Sequence, residues 1–543
     1  MKSEKNIYKA DVIIAGGGFA GISAAIELLD AGKKVILLDR DKEENFGGLA
    51  KKSFGGILFV DTPLQRRLGI KDSPELALSD WKSFADFSDN DDLPLSWAKL
   101  YVDKSREIIY DWLTAKKVEF LPLVNWPERG LFRPGNSVPR WHITWGTGHS
   151  LIEQVLLYLK THPKRDNLQV FFNHRVERLL ISNNAVTGCA GRMEGSEEEF
   201  EANSENVILA SGGICGGDLS MVKTHWYKDW GKAPETLLNG SHIFADGLLH
   251  KEAEAKGARL THLDKQWHYA AGIHHPEAQK ENDGLSLVPP RSALWMDAEG
   301  RRFGPLPLMG YTDTRYVVEQ ISKSKAQYSW QVLNYKIAIK ELAVSGSDYM
   351  TAFRYKKKLK LLNDVLFGNK ELIKRLSKES KDIILAHSLD ELIQKMNEKS
   401  INGFQIDAKG FKEDIHMYDA QIDRGEAYFN EEQLRRIANF RTYRGDKIRT
   451  CKFQKIDDKK AYPLIAIREF ILSRKSLGGI QTDLQSRVLN REGNPIPGLY
   501  AIGETAGFGG GGIHGKGSLE GTFLGSCVLT GRIASRSITG KII

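Results

Sequence analysis

The stretch from Asp11 to Asp39 leaves few folds open. Asp11-Val-Ile-Ile-Ala is a run of β-branched and apolar residues with the length of a buried strand, and it breaks at Gly16-Gly17-Gly18-Phe19-Ala20-Gly21. Ile22 to Ala31 then places apolar residues at helical spacing and closes at Gly32. Lys34-Val-Ile-Leu-Leu reads as a second strand, ending at Asp39. Strand, glycine turn, helix and strand in this order predict a parallel β–α–β unit. In such a unit Gly16 permits the tight turn, Gly18 lets backbone approach a pyrophosphate, and Gly21 lets helix lie close on strand. The helix N-terminus, with the N–H groups of Phe19 and Ala20, carries positive potential. Asp39, roughly twenty residues beyond the glycines, is placed to accept from a ribose hydroxyl, with Arg40 beside it. An ordinary strand-end turn is the alternative for Asp39. Together these features predict a bound dinucleotide.

Two further glycine-rich stretches need a partner. Phe46-Gly47-Gly48-Leu49-Ala50-Lys-Lys-Ser53-Phe-Gly55-Gly56 falls where a dinucleotide would extend beyond its pyrophosphate. Near the other end, Gly498-Leu-Tyr-Ala-Ile-Gly503-Glu504 reads as a strand turning at an acid. It runs into Gly509-Gly-Gly-Gly-Ile-His514-Gly-Lys-Gly517, and a helical pattern starts near Ser518, Leu519 and Thr522. A flexible linker would not be flanked by two buried elements, so the loop is expected to bring bare backbone against a flat or anionic ligand.

The 543 residues exceed one core and predict two or three domains. Hydrophobic content of 41% and charged content of 27% are those of a globular protein. No apolar run approaches the roughly 18 residues of a membrane span, and the first residues lack a signal-peptide apolar segment, so a cytoplasmic location is expected. Cys189, Cys215, Cys451 and Cys527 have no paired spacing, which points to free thiols. The net charge of +8 is densest at Lys356-Lys357-Lys358-Leu359-Lys360, read as a solvated helix face. Its basic residues lack interleaved aromatics, so no nucleic-acid partner is expected. Trp267-His268-Tyr269 and His274-His275 do not have the helical spacing of common metal pairs, and no metal site is expected.

These motifs resemble the FAD-binding family that contains fumarate reductase, succinate dehydrogenase flavoprotein, L-aspartate oxidase and the 3-ketosteroid dehydrogenases. The likeness extends to Val207-Ile-Leu-Ala210-Ser211-Gly212-Gly213, with Ser211 for the family's threonine, and to Leu477-Gly-Gly-Ile-Gln-Thr-Asp483 and Pro495 to Glu504. It implies FAD as cofactor. It further implies that Gly47, Gly48, Leu49, Ala50, Ser53, Gly55 and Gly56 lie along the ribityl chain and flavin, and that the backbone at Val176 meets the adenine. Ala210, Ser211 and Gly212 form a cofactor turn, Gly503 and Glu504 hold the ribityl chain, and the helix from Ser518 faces the flavin's pyrimidine edge. The implied fold is α/β: a Rossmann-type FAD-binding domain with a parallel sheet, in two parts (1–265 and 445–543), interrupted by an α+β cap (266–444). Ser388 to Asp419 resembles the cap, and Ser388 and Glu391 have capping-box spacing. Residues 61–138 hardly match, and from Gln266 to Arg444 the lysine-rich pattern reads as mostly helical.

The implied activity is hydride transfer between flavin N5 and a carbon–carbon bond α,β to a carbonyl. Where dicarboxylate reductases carry His-Gly-x-Asn-Arg-Leu, this chain has His514-Gly-Lys-Gly-Ser518-Leu519, keeping the histidine and losing the arginine. Gly300-Arg-Arg-Phe303 is followed by Gly-Pro-Leu-Pro, without the glutamate of those relatives. The expected function is therefore ketosteroid-dehydrogenase-like, although the tyrosine of that loop is replaced by Ile513 or His514. The alternatives are a fumarate-reductase-like dicarboxylate reductase or a nucleic-acid-associated flavoprotein. The candidate catalytic residues are His514, as carbonyl donor or as acid/base near neutral pH, with Tyr269, Tyr443 and Arg444; Asp313 and Arg315 are weaker candidates. The expected partners are a small carbonyl-containing substrate and an unidentified electron acceptor.

Overall fold

The computed structural model describes residues 6–130, 134–310 and 312–541. Val12–Ala15, Val35–Leu38 and Val207–Leu209 are apolar and buried at every position. Strands of that kind belong in the middle of a sheet covered on both faces. They form a six-stranded sheet in the order Arg487–Leu489, Pro495–Ala501, Val207–Leu209, Val12–Ala15, Val35–Leu38, Leu168–Phe171. Every pairing in it is parallel except that of Arg487–Leu489 with its neighbour. Against one face lies a four-stranded sheet, Asn6–Lys9, Glu199–Asn203, Ala185–Met193 and His174–Ser182. Its Val176, Leu179, Cys189 and Phe200 share one core with Ile13, Ile36, Leu209 and Leu499.

The helix Phe19–Asp30 follows the first glycine turn and packs along the C-terminal helix Thr522–Ile538. The approach is close because Gly531 has no side chain: a Cβ there would stand 2.6 Å from the carbonyl of Ala20. Ser535 donates to the Ala24 carbonyl at 3.0 Å, and Arg532 and Arg536 both pair with the buried Glu27 at 2.7 Å. The C-terminal helix begins at Thr522, one turn later than the sequence pattern at Ser518 implies. Gly521 stands before it at φ +97°, where the chain presses on Trp141 and Leu58.

Between residues 61 and 130 the chain contributes helices Pro63–Arg67, Pro74–Ala85, Asp92–Lys104 and Asp111–Ala115. It also supplies the strand Phe120–Asn125 of a three-stranded sheet with Gly56–Leu58 and Trp141–Thr144. Trp81 and Trp97 are fully buried here, as core and cover.

By contact the chain divides into two units. The first comprises the chain up to Tyr227, Ser241–Trp267 and the part from Arg474 onward; the second comprises Lys228–Gly240 and His268–Ser473. The return to the first unit thus comes at Arg474 rather than at 445, because the strand Leu464–Ser476 is the central member of the second unit's sheet. That sheet runs Leu294–Met296, Tyr328–Asn334, Leu464–Ser476, Gln266–His274, Gly284–Val288, Ala343–Val344. A reading of 266–444 as mostly helical missed it, since its strands lie far apart in sequence with lysine-rich helices between them. At Ser388 the hydroxyl accepts from Glu391 N at 3.1 Å, while the Glu391 carboxylate accepts from His387 N at 2.7 Å, one residue earlier than a strict capping box.

Candidate functional site

Ala15 stands opposite Leu38 and Leu209, and Leu209 opposite Ala501. Four parallel strands therefore end level, and the segments after them (Gly16–Gly21, Asp39–Arg40, Ala210–Gly213 and Ile502–Ala506) leave from one edge. This is where open parallel sheets bind ligands. The glycines there answer different demands. A Cβ at Gly16 would stand 2.2 Å from the Ala210 carbonyl oxygen, and one at Gly21 would stand 2.1 Å from that of Gly16. Gly18 differs: no protein atom lies within 4 Å of where its Cβ would be. It precedes a helix with no side-chain cap and no acid in its first turn, so the N–H groups around Phe19 and Ala20 are of the kind that bind anions.

The second glycine loop meets the first. Gly47 N donates to the Gly17 carbonyl at 3.0 Å, and Gly18 and Gly47 form a parallel bridge. Leu49 and Ala50 begin the short helix Leu49–Lys52; the Ser53 hydroxyl donates to the Ala50 carbonyl at 2.7 Å and accepts from Gly55 N at 3.2 Å. Gly55 and Gly56 are demanded by packing, since a Cβ would meet Gly148 N at 2.5 Å or the Trp141 ring at 2.0 Å. Val176 is buried in its strand opposite Gly191.

Asp39 accepts from Asp41 N at 2.8 Å. Burial pushes its carboxyl pKa up, against the pull of that hydrogen bond. Arg40 is already engaged: it pairs with Glu194 at 2.7 Å and Asp246 at 2.6 Å, and its guanidinium lies 4.3 Å over the Phe244 ring. At the fourth strand end Glu504 accepts from Ser476 N at 2.8 Å, and burial raises its pKa to about 7. Gly503 N donates to Thr530 at 2.9 Å, and Thr505 donates to the Gly212 carbonyl at 3.0 Å, which ties this turn to the C-terminal helix and to the Ser211 turn. An open backbone cradle at an uncapped helix end, with acids at 39 and 504 on the same sheet edge, fits a dinucleotide cofactor.

In the glycine run beyond Glu504, the side where a Cβ would stand faces protein. A Cβ at Gly509 or Gly510 would stand 2.9 or 2.7 Å from the Trp97 ring, one at Gly512 would stand 2.8 Å from His262, and one at Gly515 would stand 2.5 Å from the Ala85 carbonyl. Thr261 donates to the Gly511 carbonyl at 2.5 Å, and His262 pairs with Asp91 at 2.8 Å. At these positions the small residues let an aromatic and polar cover lie on the loop.

His514 is fully buried. Its ring stacks on Trp81 at 5.6 Å with an interplanar angle of 6°, and meets Phe508 and Phe523 at 5.3 and 5.0 Å. Nδ1 is 3.4 Å from the Thr522 hydroxyl, and Nε2 has no hydrogen-bond partner among the described residues. Burial, reinforced by the charge of Lys475, lowers its pKa to about 3. The imidazole is therefore neutral, and the expected acid/base role near neutral pH is corrected. Ser518, also fully buried, lies 2.9 Å from the Thr522 hydroxyl, and the Leu519 carbonyl accepts from Thr522 at 2.7 Å. No cation stands at position 518.

The cation at this end of the helix is one the sequence reading missed. Lys475 Nζ lies 3.9 Å over the ring of Phe523. Burial lowers its pKa to about 8, with Glu520 and Glu504 opposing and Arg474 assisting. A signal was present: Arg474-Lys475 directly follows the apolar stretch Phe470-Ile-Leu within one strand, and charged residues in a largely buried strand call for a reason.

Tyr269, Tyr443 and Arg444 belong to the second unit. Tyr269 is half-buried in the strand Gln266–His274, Tyr443 is the half-buried N-cap residue of the helix Arg444–Arg449, and Arg444 is exposed. Asp313 caps the helix Thr314–Lys323 by accepting from Tyr316 N at 3.0 Å, and the Arg315 guanidinium lies 4.9 Å over Trp230. Both have structural roles.

Residues 11–524 match the family described as FAD binding domain. A KsdD-like steroid dehydrogenase of Mycobacterium tuberculosis (strain ATCC 25618 / H37Rv) is 40% identical over 552 residues, covering 98% of this chain and 96% of that one. One of Mycolicibacterium smegmatis is 39% identical over 535 residues, covering 95% and 96%. A fumarate reductase of Schizosaccharomyces pombe is 27% identical over 552 residues, covering 98% and 90%. In fold the chain is similar to the 3-ketosteroid Δ1-dehydrogenase from Sterolibacterium denitrificans, with a TM-score of 0.69 at 17% identity, over 98% of this chain and 99% of that one. It is also similar to an open flavocytochrome c3 fumarate reductase, with a TM-score of 0.68 at 19% identity, over 98% and 78%. The open cradle at Gly18, the acids at the sheet edge and the match over nearly the whole chain agree: this chain belongs to the FAD-binding domain family of oxidoreductases and takes FAD as its cofactor.

Proposed function

We propose that the protein is a ketosteroid-dehydrogenase-like enzyme that removes or adds hydrogen across a carbon–carbon bond next to a ketone. The observation that carries this reading is the 40% identity, over almost all of both chains, to relatives named KsdD-like steroid dehydrogenases. The missing cation at Ser518, where a carboxylate-gripping arginine is expected in dicarboxylate reductases, supports it.

In this reading the first unit is a Rossmann-type FAD-binding domain and the second a cap for the substrate. The N–H groups at Gly18, Phe19, Ala20 and Gly21 bind the pyrophosphate, Asp39 accepts from the ribose, and Glu504 accepts from a ribityl hydroxyl through the oxygen that Ser476 leaves available. The first turn of Thr522–Ile538 and the Lys475 ammonium hold positive potential near the pyrimidine edge. FAD, when bound, supplies the hydride acceptor. Tyr269 and Tyr443 are the side chains of the second unit suited to move a proton or polarise a ketone; Arg444 is a binding candidate.

A dicarboxylate reductase is the second reading, favoured only by Lys475 as a cation at the same helix end. The test is to offer the holoenzyme, without oxygen, 3-ketosteroids and saturated dicarboxylates, and to follow loss of the flavin absorbance. Bleaching by a ketosteroid supports the proposal. Bleaching by a dicarboxylate alone, or by neither, overturns it.

A further inference from the structure

The helix Lys358–Phe367 buries none of its residues. Leu359 is 85% exposed, Leu362 55%, Leu366 62% and Phe367 66%, and Tyr355 just before the helix is 58% exposed. Leu359, Leu362 and Leu366 are spaced i, i+3 and i+7 and so line one face, with Phe367 at its shoulder. Single exposed leucines are ordinary on a protein surface, but four large apolar side chains on one ten-residue helix form a patch that marks an interaction site.

Lysines edge that patch. The helical wheel puts Lys358 on one flank of the leucine face and Lys360 on the other, and Lys356 and Lys357 precede them. Between residues 351 and 380 there are nine lysines and arginines against three acids, so this short segment supplies most of the chain's net charge of +8. The acids are accounted for: Glu371 and Asp364 face Lys360 at 2.6 and 3.7 Å, and Glu379 pairs with Arg375 at 3.0 Å. Lys357 and Lys358 are exposed beside the leucines. Reading Lys356–Lys360 as a solvated face explains the lysines and leaves the leucines between them unexplained.

We propose that this helix docks on an anionic phospholipid surface, lying in the membrane plane. An apolar face set into the acyl boundary, with lysines reaching to the headgroups, satisfies both halves of the pattern. A nucleic acid would use the lysines and leave the leucines in water. A second copy of the chain would cover the leucines but bring lysines against lysines. No helix among the described residues is long and apolar enough to cross a membrane, so the contact would be peripheral.

The test uses the full-length holoenzyme in co-sedimentation with vesicles of phosphatidylcholine, with or without phosphatidylglycerol. The expected result is binding at least about tenfold stronger to the anionic vesicles, weakening as salt is raised. The double variants Leu359→Glu/Leu366→Glu and Lys357→Glu/Lys358→Glu should each lose about tenfold or more of that binding. Their FAD content and thermal midpoint should not change, because all four positions are exposed. Equal weak binding to both vesicle types, or full binding by either variant, overturns the proposal. So does a concentration-dependent dimer that the leucine variant abolishes while neither vesicle is bound.

Discussion

The imidazole of His514 lies flat on the indole of Trp81, the two planes 6° apart and the ring centroids 5.6 Å apart. With Phe508 and Phe523 against its other sides, the ring serves as a packing aromatic whose pKa of about 3 keeps it neutral. His514→Phe should therefore leave FAD bound and keep kcat/KM within about threefold, with an unchanged pH profile between about 6 and 9. His514→Ala should cost roughly 2–4 kcal/mol of stability through the cavity it leaves. Urea titration and a turnover pH profile check both. Loss of a profile limb in His514→Phe would restore the acid/base role.

Three other histidines share that condition. His142 and His250 are held at about 4 and His268 at about 3, in each case mainly by burial. Their folded pKa values lie below the unfolded value, so only the unfolded chain takes up protons as pH falls through about 6.5. Stability should then drop by roughly 1.4 kcal/mol per pH unit for each such histidine, down to its folded pKa. Denaturant midpoints at about pH 7, 6 and 5 measure the slope, and His514→Phe should reduce it. A flat profile over that range would mean these rings are solvated.

Gly18 and Gly21 offer a contrast within one turn. Gly18→Ala meets no protein atom, and Gly18 has φ −71°, so apoprotein stability should change by less than about 0.5 kcal/mol. FAD affinity should fall more than about tenfold, because the new methyl group fills the proposed pyrophosphate cradle. Gly21→Ala drives a methyl group onto the Gly16 carbonyl and should destabilise the apoprotein itself. Flavin titration with parallel melting of apoprotein separates the two. Normal FAD binding by Gly18→Ala would move the pyrophosphate elsewhere.

Glu504 is expected to trade stability for cofactor binding. Its folded pKa of about 7 lies above the ordinary carboxyl value, so the folded chain holds a proton that the unfolded chain has lost, and stability falls as pH rises from about 4.5 to 7. Glu504→Gln removes that cost and should raise apoprotein stability at about pH 8 by up to roughly 3 kcal/mol. FAD affinity should drop in the same variant. Melting curves and flavin titration at that pH measure both, and a stability loss would show that the carboxylate is better accommodated than its burial implies.

Lys475 should set a pH dependence in the bound flavin. Its ammonium, with a pKa of about 8, stands over Phe523 at the start of the C-terminal helix and favours added negative charge nearby. Lys475→Met should make the flavin midpoint potential more negative at neutral pH, and Lys475→Arg should not. The difference between Lys475→Met and the unaltered protein should disappear above about pH 9, where Lys475 of the unaltered protein has lost its proton and both side chains are uncharged. Spectroelectrochemical titration tests this, and equal potentials at neutral pH would place the ammonium away from the flavin.

Local pattern alone determined the first half of the site. Asp11 to Asp39 carries strand, turn, helix and acid in continuous sequence, and each was legible because short-range sterics dictate it: Gly16 and Gly21 are small where backbone meets backbone. The family likeness extended this to Ser211 and Glu504. What lies between distant segments was not legible. Only strand register brings Ala15, Leu209 and Ala501 level, so that the turns after them share an edge. Only packing shows that Gly509, Gly510 and Gly512 are small for Trp97 and His262, residues from segments with no motif of their own. The neutrality of His514 and the lowered pKa of Lys475 arise from burial among rings contributed by separate elements. Burial is a sum over tertiary neighbours that no local window contains.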